Sequence, residues 1–438
     1  MRTKRVLATM YFAAVLGGCT DDGGEGIGML SHEAYFAVMS DNYDGAVVIS
    51  LLGEDGEVVE DAWLSPRIDE DDLRTPFTED VTLPSSSPSR RYLTTIERGL
   101  GVITRFDLED ATVVGQLKTD DSPEDDEAVF HSNPQDVVYL DDEVAWVTRW
   151  GVNANDDAEA AERGNDVIAF NPSTMKRRNR RVDLSSFDTT VTETEYDEDF
   201  NPIGEVESTA YAHPARMLLA NGHLVIGLDR LTDTSFTPAD GATAIVDPEG
   251  EEVSDRIDHE GLKNCRDVYP VADDPNRVLV GCIGDWAFLG PETGIVMLEI
   301  DEDGQAEVVE RFLVADHDDA AATGQQLASL GGDCVFAVAS GQSDFMTGEV
   351  TTPDRGYVID LSTGEQTMVL ESKGAFALGT PAFDSDSGVL LVPDAGDYSK
   401  PRYGVWRMQL EGECNLSKDG FVEVAPSDTL AARQAHRL

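Results

Sequence analysis

A glycine opening a short apolar run recurs seven times along this chain, and that recurrence constrains the fold more than any other feature of the sequence. The openings are Gly45-Ala46-Val47-Val48, Gly101-Val102-Ile103, Gly164 before Val167-Ile168, Gly241-Ala242-Thr243, Gly294-Ile295-Val296, Gly356-Tyr357-Val358 and Gly404-Val405-Trp406, spaced 48 to 77 residues apart. No long stretch carries a helical period with caps. Short β-rich runs separated by Gly, Asp, Pro and Ser take its place. A repeat of roughly 40–50 residues with four strands each describes a propeller blade, and the excess spacing is loop insertion.

Each opening falls third in a set of four strands. In the third set Asp136 to Leu140 comes first, Asp141-Asp142 turns the chain, and Val144 to Val147 follows. Val167 to Phe170 then leads to Arg181 to Leu184. The fourth set repeats this with Arg216 to Leu219, Leu224 to Gly227, Thr243 to Val246 and Val253 to Ile257. The first set has its second strand, Tyr35 to Met39, but no strand before it. After Phe421 to Val424 the chain has a spare segment, Ala431 to His436, which resembles Pro214-Ala215-Arg216-Met217. A ring must pair its sheet edges or leave them adhesive. The expected fold is therefore all-β, a seven-bladed β-propeller of four-stranded antiparallel blades whose C-terminal strand closes the first blade.

Asn133-Pro134-Gln135-Asp136-Val137 followed by Val144-Ala145-Trp146-Val147 resembles a degenerate repeat of the bacterial YVTN and lactonase-like propellers. The run from Gly356 to Gly364 resembles the hairpin of quinoprotein-like blades. The resemblance covers the repeats and implies a propeller, but neither motif is specific to an activity. Most sets lack the tryptophan-docking pattern of quinoprotein blades, so no quinone cofactor is carried over.

Ahead of the repeats, Met1 to Arg5 is basic and Val6 to Leu16 is apolar. The apolar run is shorter than the ~20 residues of a spanning helix and reads as an export signal. Leu16-Gly17-Gly18-Cys19 resembles the lipobox of bacterial lipoproteins. That resemblance implies cleavage before Cys19 and its lipidation, with more than one acyl chain and so stable anchoring. The expected division is 1–18 as lipoprotein signal peptide, 19–31 as a lipid-anchored flexible tether and 32–438 as the propeller. Thr20 after the cysteine favours the outer membrane or surface of a two-membrane bacterium.

The chain carries 85 Asp and Glu against 32 Lys and Arg, a formal charge of −53 that becomes −56 once Arg2, Lys4 and Arg5 leave with the signal. Such a balance argues against nucleic acid as a partner, since phosphates require a basic face, and it leaves membrane attachment to the anchor. Four cysteines follow Cys19, and an even number in an exported protein suggests two disulfides. Cys265 opens the first strand of the fifth blade and Cys282 lies near the end of the second, with Asp273-Asp274 in the turn midway, so these two are expected to pair. Cys334 and Cys414 lie in turns on one face of neighbouring blades and can form the other bridge.

In a propeller, the turns within strand pairs 1–2 and 3–4 lie on one face. Loops joining strands 2–3, and each blade to the next, lie on the other. The longest insertions, 151–164, 185–213, 230–241, 284–294, 341–356 and 394–404, are all of the second kind. A protein or small-molecule ligand is therefore expected on that face. First strands open toward the channel with Asp136, Arg216, Asp267, Gln326 and Arg433. Second strands end near the same rim with Glu97, Arg149, Asp229 and Asp394. These nine are the candidate funnel residues, able to meet an anion or sugar at Arg216 and Arg433 or a cation at Asp136 and Asp267. A water-filled bore accounts for polar residues there equally well.

His131, His213 and His317 precede innermost strands at unequal offsets, a poor basis for a metal site. The segment Asp197-Glu198-Asp199-Phe200-Asn201 lacks the sixth-position Gly and twelfth-position Glu of a calcium loop, so calcium is a weak reading. Asp301-Glu302-Asp303-Gly304 reads as a hairpin turn. No Gly-x-Ser-x-Gly, phosphate loop or HExxH motif occurs, so no catalytic residue and no cofactor are assigned. The favoured reading is a monomeric, lipid-anchored cell-envelope propeller that binds or scaffolds. The alternatives are a lactonase-like hydrolase with a metal in its funnel and an outer-membrane assembly factor.

Overall fold

The computed structural model describes residues 34–438 apart from 42–46, 65–79, 88, 121–129, 154, 156, 160–161, 197–201, 234, 273, 285–291, 315–324, 345–348, 398–399, 413 and 425–429. The signal peptide, Cys19, the tether, Gly45, His317 and the segment 197–201 lie outside the described residues. Among the described residues no helix is long and apolar enough to cross a membrane.

The described strands form seven four-stranded antiparallel sheets, with one three-stranded and one two-stranded sheet inserted between them. Blade 1 comprises Phe36–Asp41, Val47–Leu52 and Val58–Leu64, completed on its inner edge by Ala431–Arg437. Blades 2 to 7 occupy 81–118, 134–183, 214–263, 267–313, 325–371 and 382–423. The closing strand runs antiparallel to Phe36–Asp41, with Phe36 opposite Arg437, Val38 opposite Ala435 and a bulge at Met39/Ser40.

Inner-blade strands are apolar on both faces because each face packs on a different neighbour, and side chains alternate sides along a strand. Leu224, Ile226 and Leu228 join the cluster facing blade 3, while Val225 between them joins the cluster facing blade 5. Ile295 and Met297 face blade 6, whereas Val296 and Leu298 face blade 4. Seven buried apolar clusters fill the seven seams in this way. The last lies between blades 7 and 1, where Leu391 and Val405 meet Phe36, Val38, Ala432 and Ala435. Fully burying each Val, Leu or Ile in a seam is worth about 1.5–3 kcal/mol.

The repeating glycine has a steric cause. A Cβ on Gly404 would sit 2.0 Å from the Val422 carbonyl oxygen, and one on Gly294 would sit 2.6 Å from that of Phe312. In blades 5 and 7 the fourth strand's backbone thus lies directly against the start of the third, whereas Gly241 meets Cys265 Sγ and Gly356 the Phe336 ring.

Both expected bridges form. Cys265–Cys282 lies in the seam between blades 4 and 5. Cys334–Cys414, 80 residues apart in sequence, ties a turn of blade 6 to one of blade 7. In the chain-entropy picture, a loop of that length contributes about 4–5 kcal/mol.

One segment corrects the sequence reading. Residues 185–213 were expected as loop but contain strands Thr189–Tyr196 and Pro202–Tyr211, which pair with each other and then with Leu231–Thr232. A second insertion pairs Gln342–Ser343 with Val350–Thr352. Glu193 anchors the larger insertion by accepting hydrogen bonds from the hydroxyls of Ser208 (2.5 Å), Thr232 and Ser235. Burial pushes its carboxyl up, but these hydroxyls outweigh it and bring the pKa down to about 2.

Deleting residues 430–438 exposes the inner edge of blade 1 and opens the 7–1 seam. We expect the Tm to fall by many degrees and the protein to associate through the freed edge, read by calorimetry and light scattering. An unchanged melting curve contradicts the closure.

Candidate ligand site in the central channel

Innermost strands face a common axis, so their exposed sides line a bore. Blade 2 interrupts the pattern. Its innermost strand is only Val81–Thr82, and the chain then passes through Leu83, Pro84 and Ser85 without regular pairing. Two side chains from other blades clamp this segment. Gln434, from the closing strand, accepts from the Leu83 amide (2.9 Å) and the Thr82 hydroxyl (3.0 Å) and donates to the Leu83 carbonyl (3.0 Å). Arg216 of blade 4 donates to the same carbonyl (2.8 Å) and to Thr82 Oγ1 (3.1 Å).

A cavity of about 670 Å³ runs along the bore and is lined by residues of all seven blades. It extends from Arg266 and Ile283 at the insertion end to Ala272, Ser329 and Leu438 near the 1–2 turns. A smaller cavity of about 470 Å³ lies at the mouth on the insertion side, between Asp41, Asp80, Arg98, Thr380 and Arg433.

Among the nine candidate residues, Arg216, Asp267 and Gln326 line the larger cavity, and Arg216 and Arg433 the smaller. Arg433 lies 3.4 Å from Asp41. Asp136 is fully buried behind the wall. It accepts from the backbone amides of Ser85, Val137 and Met217, each at 2.8 Å, and from the Ser85 hydroxyl, stapling three blades together. Burial pushes its carboxyl up, against Arg216 3.9 Å away.

The remaining four line neither cavity, which corrects the funnel assignment. Arg149 is 0% exposed and grips both oxygens of equally buried Asp166 at 2.8 and 2.7 Å. Asp394 accepts from Ser372 (2.7 Å), the Gly396 amide (2.8 Å) and Trp406 Nε1 (2.8 Å). Asp229 accepts from Trp150 Nε1 at 2.6 Å. Glu97 is buried where its strand pairs with Val81. The physical reason is common to all four: at the outer ends of second strands the side chains turn into the seams rather than the bore.

Sequence reasoning missed Arg266, Tyr269 and His436. Arg266 directly precedes the strand Asp267–Val271, and both Arg266 and Asp267 line the cavity. Its Nε lies 3.5 Å from Asp229 and 3.9 Å from Asp267. Burial opposes the Arg266 charge, but these carboxylates raise its pKa above the usual arginine value. Burial likewise pushes the Asp267 carboxyl up, opposed by Arg266 and Arg216. The His436 ring is pushed down to about 4 by burial, with the Arg216 charge adding to the effect.

His213 stacks on Trp150 with ring centroids 3.7 Å apart, and its Nδ1 lies 2.7 Å from the Trp150 carbonyl, so it is a packing residue. Asp301 Oδ1 caps the Asp303 and Gln305 amides in the expected hairpin turn. Among the described residues no group of three His, Cys, Asp or Glu is placed to hold a metal ion. The larger cavity would present four arginines and one aspartate to a divalent cation, a donor set that does not fit one.

Seven four-stranded sheets around a lined bore define a β-propeller. No protein-family model matches the chain, and no curated protein matches it in sequence. Among solved structures it is similar to a protein from Bacteroides uniformis assigned as a 6-phosphogluconolactonase, at 10% identity and TM-score 0.54, covering 93% of this chain and 100% of that one. It is also similar to the dihydro-heme d1 dehydrogenase NirN, at 11% identity and TM-score 0.50, covering 95% of this chain and 77% of that one. A further likeness, to a protein of Bacteroides fragilis also assigned as a 6-phosphogluconolactonase, has 10% identity, TM-score 0.49 and coverage of 90% and 96%. At these identities the likeness is one of fold.

Two outcomes test the side-chain roles. Arg149→Met leaves buried Asp166 with Arg181 alone as its ion partner and strands the Thr119 carbonyl that Arg149 also holds at 3.1 Å. We expect a loss of about 1–3 kcal/mol in chemical denaturation, and an unchanged midpoint would return Arg149 to the funnel. His436 stays neutral when folded, at about 4, whereas an unfolded histidine titrates near 6.5. The unfolded chain binds the extra proton between these values, so stability is full above about pH 6.5 and falls as pH drops toward 4. His436→Asn should make the stability–pH curve shallower in that window, and an identical slope contradicts the assignment.

Proposed function

We propose that this chain is a lipid-anchored propeller of the bacterial cell envelope that binds a small ligand in its central channel without transforming it. The observation that carries the reading is the cavity of about 670 Å³ lined by all seven blades, a size typical of small-molecule sites. Polar and charged side chains in its wall, Arg216, Arg266, Asp267 and Gln326 among them, support it. Within the cavity Ser85 is tied to Asp136, which three backbone amides also occupy, leaving that carboxylate unsuited to act as a base. Ser85 and Asp136 therefore do not form a nucleophile–base pair for lactone hydrolysis, the activity in the name of the Bacteroides uniformis neighbour.

The anchoring half of the proposal rests on the Leu16-Gly17-Gly18-Cys19 resemblance and on Thr20 after it, and has the protein held at the outer membrane or cell surface by lipid on Cys19.

Two variants test the halves separately. Cys19→Ser should move the protein from the membrane fraction to the soluble one, and unchanged partition rejects the anchor. Ser86→Trp places a bulky ring on the cavity wall. Ligands found by thermal shift on the parent protein should no longer raise its Tm, and retained shifts reject the channel as the site.

A further inference from the structure

We propose that the channel ligand is a small organic anion whose carboxylate or phosphate group is held by Arg266. This rests on the channel-binding reading above and names its chemical class.

The first observation is an inversion of charge. The chain has 85 acidic residues against 32 basic ones, so a wall drawn at random from it would be acidic. The larger cavity instead carries Arg98, Arg216, Arg266 and Arg437 against the single side-chain carboxylate of Asp267. An anion approaching elsewhere meets a protein of formal charge −53, which disfavours casual surface binding. The bore is where a negative group gains most, because water is partly excluded and charged hydrogen bonds strengthen there.

The second observation separates the arginines by what they already hold. Arg98 donates to Asp80 at 2.8 Å. Arg437 reaches Asp384 at 2.6 Å and Asp386 at 3.0 Å. Arg216 is spent on Thr82 and Leu83. Arg266 differs: its side chain is 22% exposed, its closest carboxylate oxygen is 3.5 Å away, and its guanidinium makes no hydrogen bond among the described residues. A guanidinium ion-paired with Asp229 and Asp267 but hydrogen-bonded to neither, at the wall of a cavity, can turn its N–H fork to a planar or tetrahedral anion. Beside it, the Asp267 carboxylate also lines the cavity. This acceptor favours an anion that also carries hydroxyl groups.

The test is isothermal titration of the full-length protein with citrate and lactate as carboxylates, inorganic phosphate and glycerol phosphate as phosphates, and glycerol as a neutral control. One anion class should bind and glycerol should not, and which class binds distinguishes the two headgroups. Arg266→Gln should weaken that binding about tenfold or more, whereas Arg98→Gln should change it far less. Should Arg266→Gln fail to fold, phenylglyoxal labelling of the unaltered protein substitutes: the anion should protect Arg266, read by peptide mass spectrometry. Binding unchanged by Arg266→Gln, no protection, or no binding of any anion overturns the proposal. If glycerol or another neutral compound binds and Ser86→Trp blocks it, the anion is wrong while the channel reading survives.

Discussion

Pairing of Ala431–Arg437 with Phe36–Asp41 is the contact on which the remaining geometry depends, because one segment does three jobs at once. Its backbone satisfies a row of amides and carbonyls that an unfinished blade would leave open. Its Ala432 and Ala435 fill the seam between the last blade and the first. Its Gln434 reaches the neighbouring blade to hold Thr82 and Leu83. The same strand also meets the start of blade 7, where the Thr380 amide donates to the Arg433 carbonyl at 2.9 Å. Channel and ring are thus closed by the same few residues, and neither forms without the other.

Charge is managed differently in the seams and in the bore. Removing an ion pair from water costs several kcal/mol per ion, and only close geometry repays it. In the seams Arg149 and Asp166 meet through two parallel hydrogen bonds, and Asp394 is surrounded by donors from three directions. Such knots hold position and have nothing left to offer a ligand. The bore wall departs from the rule at Arg266, whose nearest carboxylate oxygen is 3.5 Å away. Residues that break a local rule of satisfaction are where function is most often found.

Much of the ring was legible from the chain itself. Continuous runs such as Leu224-Val225-Ile226 signal strands covered on both faces, and Ala431 to His436 stood out as a strand without a sheet. Both disulfides followed once strands were placed. Thr189–Tyr196 escaped notice because its β-branched pattern is polar on both sides, so burial left no trace in the sequence. The funnel was only partly readable. Asp229 and Asp394 occupy the ends of strands much as channel residues would, yet Trp150 and Trp406 claim them. Those partners come from a neighbouring blade or across a bulged pairing, which spacing along the chain does not reveal. Arg149 was more accessible to reasoning, since it lies directly opposite Asp166 in the pairing of two consecutive strands.

The Leu438 amide donates to the Tyr35 carbonyl at 2.9 Å, so the two ends of the described fold lie side by side at the rim opposite the inserted hairpins. A circle whose ends touch has no privileged origin. A few residues of linker would join them, and new ends opened in a loop between any two blades would give a circular permutant with the same seams. Cargo fused at either existing end would arrive at one rim and leave the other clear.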